Sequence, residues 1–173
     1  MKYIILTILL IPVTLPASAQ TARDTARLSR AVRFADSAQT LIHTELINHG
    51  HIVGCTVQIF RVTDMTTGKT LTALHFVDQN NYEAFVDRDE LPALQTALTQ
   101  ILTKITETPP AAGSDQLYCF RSRTGFETGC YVNKNAWQLY LRLNYGNNNS
   151  KWLLKSLDVE VFLEDLQDVI AKY

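Results

Sequence analysis

Between residues 115 and 143 apolar and polar side chains alternate with period two, interrupted at Thr124-Gly125 and Lys134-Asn135. A chain patterned this way has to fold as antiparallel strands joined by tight turns. Alternation gathers one apolar set on one side of a sheet, and no helix can do the same. A two-residue loop at Thr124-Gly125, with glycine supplying positive φ, pairs residues 115–123 with 126–133. That register sets Cys119 opposite Cys130, Tyr118 opposite Tyr131 and Phe120 opposite Gly129. A second loop at Lys134-Asn135 sets Trp137 opposite Val132, Leu139 opposite Cys130 and Leu141 opposite Thr128. The two registers agree on faces. Leu117, Cys119, Phe126, Cys130, Val132, Trp137, Leu139, Leu141 and Leu143 fall on one side, the expected core side. Residues 146–150 then make an Asn-rich turn and 151–156 a fourth strand. Asp158 is expected to cap a last helix carrying Phe162, Leu166, Val169 or Ile170, and Tyr173.

The preceding half repeats this plan in order and periodicity. Residues 40–47 and 52–63 are expected strands around a turn at 48–51, and 64–69 is a turn containing Gly68. Residues 71–78 and 82–86 pair across Asn80-Asn81, which sets His75 opposite Val86. A helix follows with Leu91, Leu94, Leu98, Ile101 and Ile105 along one face. Asp87 or Asp89 can open it. Pro92 favours Asp89, because the proline then falls in the first turn where no backbone donor is lost. Each helix has one apolar stripe to bury. The expected fold class is therefore α+β: two ββββα repeats, over 38–108 and 115–173, with antiparallel sheets covered on one face by helices. Residues 109–114, beginning Pro109-Pro110, link the repeats within one compact domain.

Ahead of the repeats, residues 20–37 are expected to include a short helix with Leu28, Val32 and Ala35 at helical spacing. Residues 1–19 have the composition of a signal peptide: Lys2, an apolar run interrupted by Pro12 and Pro16, then Ala17-Ser18-Ala19 as a cleavage site. The expectation is an exported chain, periplasmic or secreted, with no membrane span after cleavage. Sixteen basic and seventeen acidic residues nearly balance, with no basic stripe. Clustered phosphate binding, and with it nucleic acid as a partner, is disfavoured on that ground.

Four strands followed by a helix, twice over, resembles the arrangement of the PUR-domain and Whirly families, which bind single-stranded nucleic acid. The resemblance is one of topology; their sequence motifs are absent, and the export signal argues against that ligand. A second resemblance rests on residues. These are Val62-Thr63-Asp64 with Thr67-Gly68, Phe85-Val86-Asp87 before Asp89-Glu90-Leu91, and Arg123-Thr124-Gly125-Phe126-Glu127-Thr128-Gly129 before Tyr131. They are similar to a group of uncharacterised exported bacterial proteins. The shared positions are turn and strand residues, so the resemblance implies structure and brings no activity with it.

The surface that invites a function is the other side of the second sheet. In the register above it carries Tyr118, Phe120, Glu127, Gly129, Tyr131, Gln138, Tyr140 and Arg142, with Glu127 opposite Arg142 as a cross-strand charge pair. Taken structurally, Phe120 and Tyr140 cover Gly129 and stiffen the sheet. Taken functionally, Tyr118, Phe120, Glu127, Tyr131, Tyr140 and Arg142 form a platform for a protein, peptide or carbohydrate, or for a second copy of the chain. Self-association is the favoured functional option, because an open aromatic face would be a large apolar patch.

The remaining candidates read more plainly. Cys119 and Cys130 could bridge across their hairpin, although two buried thiols are slightly favoured there; Cys55 could pair with either. His43, His49, His51 and Cys55 have some metal character but match no ligand spacing, so they are taken as turn and strand residues. Asp87, Asp89 and Glu90 suit a helix N-terminus for its dipole alone. No nucleophile motif or phosphate loop is present. The leading expectation is a binding or interaction module with no catalytic residue, metal or cofactor assigned; the alternative is an exported enzyme with an unrecognised site.

Overall fold

The computed structural model describes residues 29–111, 113 and 115–173. The segment read as a signal peptide, and residues 20–28 of the expected first helix, lie outside the described residues. Two four-stranded antiparallel sheets, each with its strands in sequence order, are each followed by a helix. The first half runs α1 (Arg30–Ser37), β1 (Ile42–Ile52), β2 (Cys55–Asp64), β3 (Thr70–Asp78), β4 (Glu83–Asp87) and α2 (Leu91–Glu107). The second half runs β5 (Leu117–Arg121), β6 (Glu127–Asn133), β7 (Ala136–Arg142), β8 (Lys151–Leu154) and α3 (Ser156–Lys172). The fold is α+β, a ββββα unit twice, and no helix among the described residues is long and apolar enough to cross a membrane.

One core serves both sheets. Val57, Ile59, Leu74, Phe76 and Val86 from the first meet Phe126, Cys130, Leu139, Leu141 and Leu154 from the second. The apolar stripes of α2 (Leu91, Leu94, Leu98, Ile101) and α3 (Val159, Phe162, Leu166, Val169) enter the same cluster. The helices cross over. α2 packs against β5 and β6, with Lys104 over the Tyr118 ring and the Thr108 carbonyl accepting from Trp137 Nε1 at 2.7 Å. α3 lies on the first sheet, where Phe162 meets Phe76 edge-on and the Tyr173 ring sits 5.0 Å from the Arg61 guanidinium carbon. Each repeat's helix therefore covers the other repeat's sheet. The outer face of the first sheet has its own small cluster, Ala31 of α1 against Ala73 and Phe85.

Turn chemistry fixes the registers and corrects several expectations. Lys134 and Asn135 both have positive φ, +50° and +61°, as a two-residue hairpin loop requires, and β6–β7 pair in the expected register. β5–β6 do not. Ser122 N–H donates to the Phe126 carbonyl at 2.8 Å and Gly125 N–H to the Ser122 carbonyl at 3.2 Å. This is a three-residue loop with Gly125 as its left-handed last residue (φ +94°). Cys119 consequently pairs with Gly129, Tyr118 with Cys130 and Phe120 with Thr128. A slip of one residue turns the whole of β5 over. β3–β4 show the same loop, with Asp78 N–H donating to the Tyr82 carbonyl and Asn81 at φ +60°, so His75 lies opposite Phe85 rather than Val86.

Elsewhere the expected turn at 48–51 is strand with a bulge, and the reversal falls at Val53-Gly54, φ +34° and +76°. Asp87, not Asp89, precedes the 3-10 turn Arg88–Glu90 that leads into α2. Asp158 sits inside the first turn of α3, its carboxylate accepting the Lys155 N–H at 2.7 Å, rather than before it.

Candidate functional site

The corrected register lines up one residue from each strand of the second sheet. Arg121 pairs with Glu127, Glu127 with Arg142, and Arg142 with Lys151. One rung across four strands thus carries three cations and one carboxylate. The next rung is Cys119, Gly129, Tyr140 and Leu153, and beyond it lie Leu117, Tyr131 and Gln138. These residues face away from the shared core. The charged rung, with Leu117, Tyr131, Tyr140 and, from the β7–β8 connection, Tyr145, lines a cleft of about 360 Å³.

Glu127 is the buried centre, 2 % exposed. Its Oε2 accepts from Arg121 Nε at 2.9 Å and Nη2 at 2.6 Å, and its Oε1 accepts the Tyr140 hydroxyl at 2.8 Å. Arg142 approaches the same Oε1 only to 3.7 Å, an ion pair without a hydrogen bond. Burial and the bond to Glu127 push the Tyr140 hydroxyl well above its ordinary pKa, so it stays a donor. Gly129 has no room for a side chain. A Cβ there would press on the Tyr118 carbonyl and lie 2.8 Å from Cys119 Cα. The Tyr140 ring occupies the neighbouring position on β7 and is almost fully buried.

The cations lie over the rings. The Lys151 ammonium is 3.9 Å from the Tyr131 ring centre and 4.7 Å from that of Tyr140. The Arg121 guanidinium carbon is 3.3 Å from the Tyr145 ring centre. Cation–π contacts of this kind favour a fixed cation over an exposed ring. The face therefore presents charge above aromatic walls, where the sequence suggested a bare aromatic platform.

Of the six residues picked from the sequence, the structure brings Glu127, Tyr131, Tyr140 and Arg142 together. It removes Tyr118 and Phe120 to the helix side. Tyr118 tilts against Trp137 beneath Lys104, and Phe120 packs on the core. Only Tyr140 therefore adjoins Gly129, since β5 puts Cys119 on its other side. Leu117, Cys119 and Arg121 take the vacated places, and Leu117 is exposed instead of buried. Cys119 and Cys130 point to opposite sides of the sheet and are free thiols. Arg121 and Lys151 escaped sequence reasoning. Arg121 was hidden by the slipped register, and Lys151 because the irregular turn before the fourth strand left that strand's register against β7 unset.

A second polar constellation joins the repeats. The Asp87 carboxylate, nearly fully buried, accepts Ser29 Oγ at 2.7 Å, the Arg30 N–H at 2.8 Å and Arg123 Nη1 at 2.6 Å. It thereby holds the N-terminus of α1, where a negative charge is favoured. Arg123 also reaches Asp89, whose carboxyl it holds below the usual range, while burial raises that of Glu90. The Thr124 hydroxyl accepts the Phe85 N–H at 2.9 Å and donates to the Phe85 carbonyl. The β5–β6 loop thus clips onto the edge strand β4. Among the described residues no buried side-chain donor or acceptor of this constellation is left unpaired, which supports a structural role. Two of the three stretches that carry the residue-level resemblance, 85–91 and 123–131, meet at this clip.

The other candidates separate. Cys55 is fully buried, while His43 and His51 are exposed on β1. No three metal-ligating side chains converge among the described residues. His75 is buried on the outer face of the first sheet, stacked on Phe85 and hydrogen-bonded to Gln58 and Glu83. A roomier cleft of about 510 Å³ between α2 and β5 has mostly apolar walls and one cation, Lys104, already over Tyr118. It offers few polar groups to orient a ligand. Comparison of the chain with protein-family models and with curated proteins finds no match.

Proposed function

We propose that the protein is an exported, non-enzymatic binding module, and that the open face of its second sheet holds a small polar ligand such as a sugar or a peptide side chain. The observation that supports this most is the cleft at the rung Arg121–Glu127–Arg142–Lys151. Its charged groups are positioned by β-strands rather than by loops. A cleft of about 360 Å³ suits one sugar-sized group and is small for a polymer. A passive role is supported by the one thiol on this face. Burial and the Glu127 charge raise the pKa of Cys119, the reverse of what a nucleophile needs. A ligand is favoured over a second copy of the chain. Two-fold self-association of this face would bring its cations toward one another.

The test is amide NMR of the isotope-labelled protein with a panel of neutral sugar, sugar acid, sugar phosphate and short peptides. Sedimentation of the same samples gives the mass in solution. The expected result is shifts gathered on Tyr131, Gln138, Arg142 and Lys151, their loss in Tyr131→Ala, and the mass of a single chain. Shifts confined to another surface would overturn the reading. So would a dimer that Tyr131→Ala dissociates.

A further inference from the structure

Arg142 and Lys151 are directly opposed across β7 and β8. Like charges in that position repel and weaken the sheet. The single carboxylate of the rung cannot balance them. Its Oε2 is engaged by Arg121 and its Oε1 by the Tyr140 hydroxyl, which leaves Arg142 at 3.7 Å. The Arg142 Nε–H is buried with no hydrogen-bond partner among the described residues. A buried donor left unpaired costs about 1–3 kcal/mol. Lys151 meets only rings and no carboxylate among the described residues. Asp115, at the rim, is exposed and forms no ion pair with any of the three cations. Three cations around one carboxylate leave an excess of two positive charges in one rung.

We propose that this site binds a dianionic oxyanion of the phosphate type, seated between Arg142 and Lys151. The proposal rests on the binding reading above and names its ligand class. The Arg142 guanidinium would donate to the oxyanion, and Lys151 would supply a point charge. A group bearing two negative charges cancels the excess and turns a repulsive pair into a bridged one. The cleft is larger than the anion, so the rest of a phosphate ester would lie against Tyr131 and Tyr145.

The experiment is calorimetric titration at low ionic strength with inorganic phosphate, glucose 6-phosphate, acetate and glucose. It uses the unmodified protein and the variants Arg142→Gln, Lys151→Gln and Arg33→Gln. The folding of each variant is checked by circular dichroism, and thermal melting with and without phosphate gives a second readout. Phosphate and glucose 6-phosphate should bind, acetate should bind at least about tenfold more weakly, and glucose should not bind. Arg142→Gln and Lys151→Gln should each weaken phosphate by about tenfold or more, while Arg33→Gln, on α1, leaves it unchanged. If Arg142→Gln does not fold, Lys151→Gln alone carries the comparison. Equal affinity for the two phosphates identifies the free ion as the natural ligand; tighter glucose 6-phosphate identifies an ester. The proposal is overturned if phosphate fails to bind, if acetate matches it, or if all three variants bind it alike. Phosphate failing while glucose still shifts the Tyr131 face would sink the anion and spare the binding module.

Discussion

Burial distinguishes the three thiols. Cys55 lies fully inside the shared core, and its thiol is pushed up to about 12; that of Cys130, also buried, rises to about 11. Cys119 is exposed on the open face, and although partial burial and Glu127 raise its thiol as well, it alone is accessible. Only a thiolate alkylates, and it needs access. Iodoacetamide at mildly alkaline pH should therefore modify Cys119 alone in the folded protein, with Cys55 and Cys130 reacting only in denaturant. Peptide mass spectrometry reads this directly. It also checks the β5 register, since the alternative pairing would bury Cys119 beside Cys130.

Hairpin loops decide how legible each strand was. Lys134-Asn135 could be placed because both residues tolerate positive φ and both flanks alternate cleanly. Thr124-Gly125 was ambiguous, since the glycine serves equally as second residue of a short loop or last residue of a longer one. What selects the longer loop is long-range. Ser122 Oγ accepts from the Thr124 and Phe126 amides and donates to the Phe85 carbonyl, and Thr124 clips β4. No local pattern encodes a partner 37 or 39 residues away in sequence. The core side of β6 and β7 was therefore readable, along with Glu127, Tyr131, Tyr140 and Arg142. The residues of β5 were not, and the charged rung was lost with them. Replacing Thr124 by Val, which keeps the shape and removes the hydroxyl, leaves the buried Phe85 N–H without its acceptor. The expected loss is about 1–3 kcal/mol in urea denaturation, with native secondary structure retained.

Crossed helices make the two repeats interdependent. The first sheet is covered by α3 and the second by α2, so neither ββββα unit encloses its own apolar face. Residues 38–108 and 115–173 expressed separately should each lack cooperative melting and dispersed amide spectra, and mixing them should restore both. A sharp independent transition in either fragment would show that the exchange of helices is dispensable. The clip between β4 and the β5–β6 loop, and Asp87 tying α1 to Arg123, add polar links at the same junction.

α3 leaves the ribosome after all eight strands, yet it roofs those of the first sheet. Until α3 has emerged, the first sheet stays greasy on one side and cannot mature. A chain cut short before α3 would thus be a sticky, protease-sensitive product rather than a shorter working one.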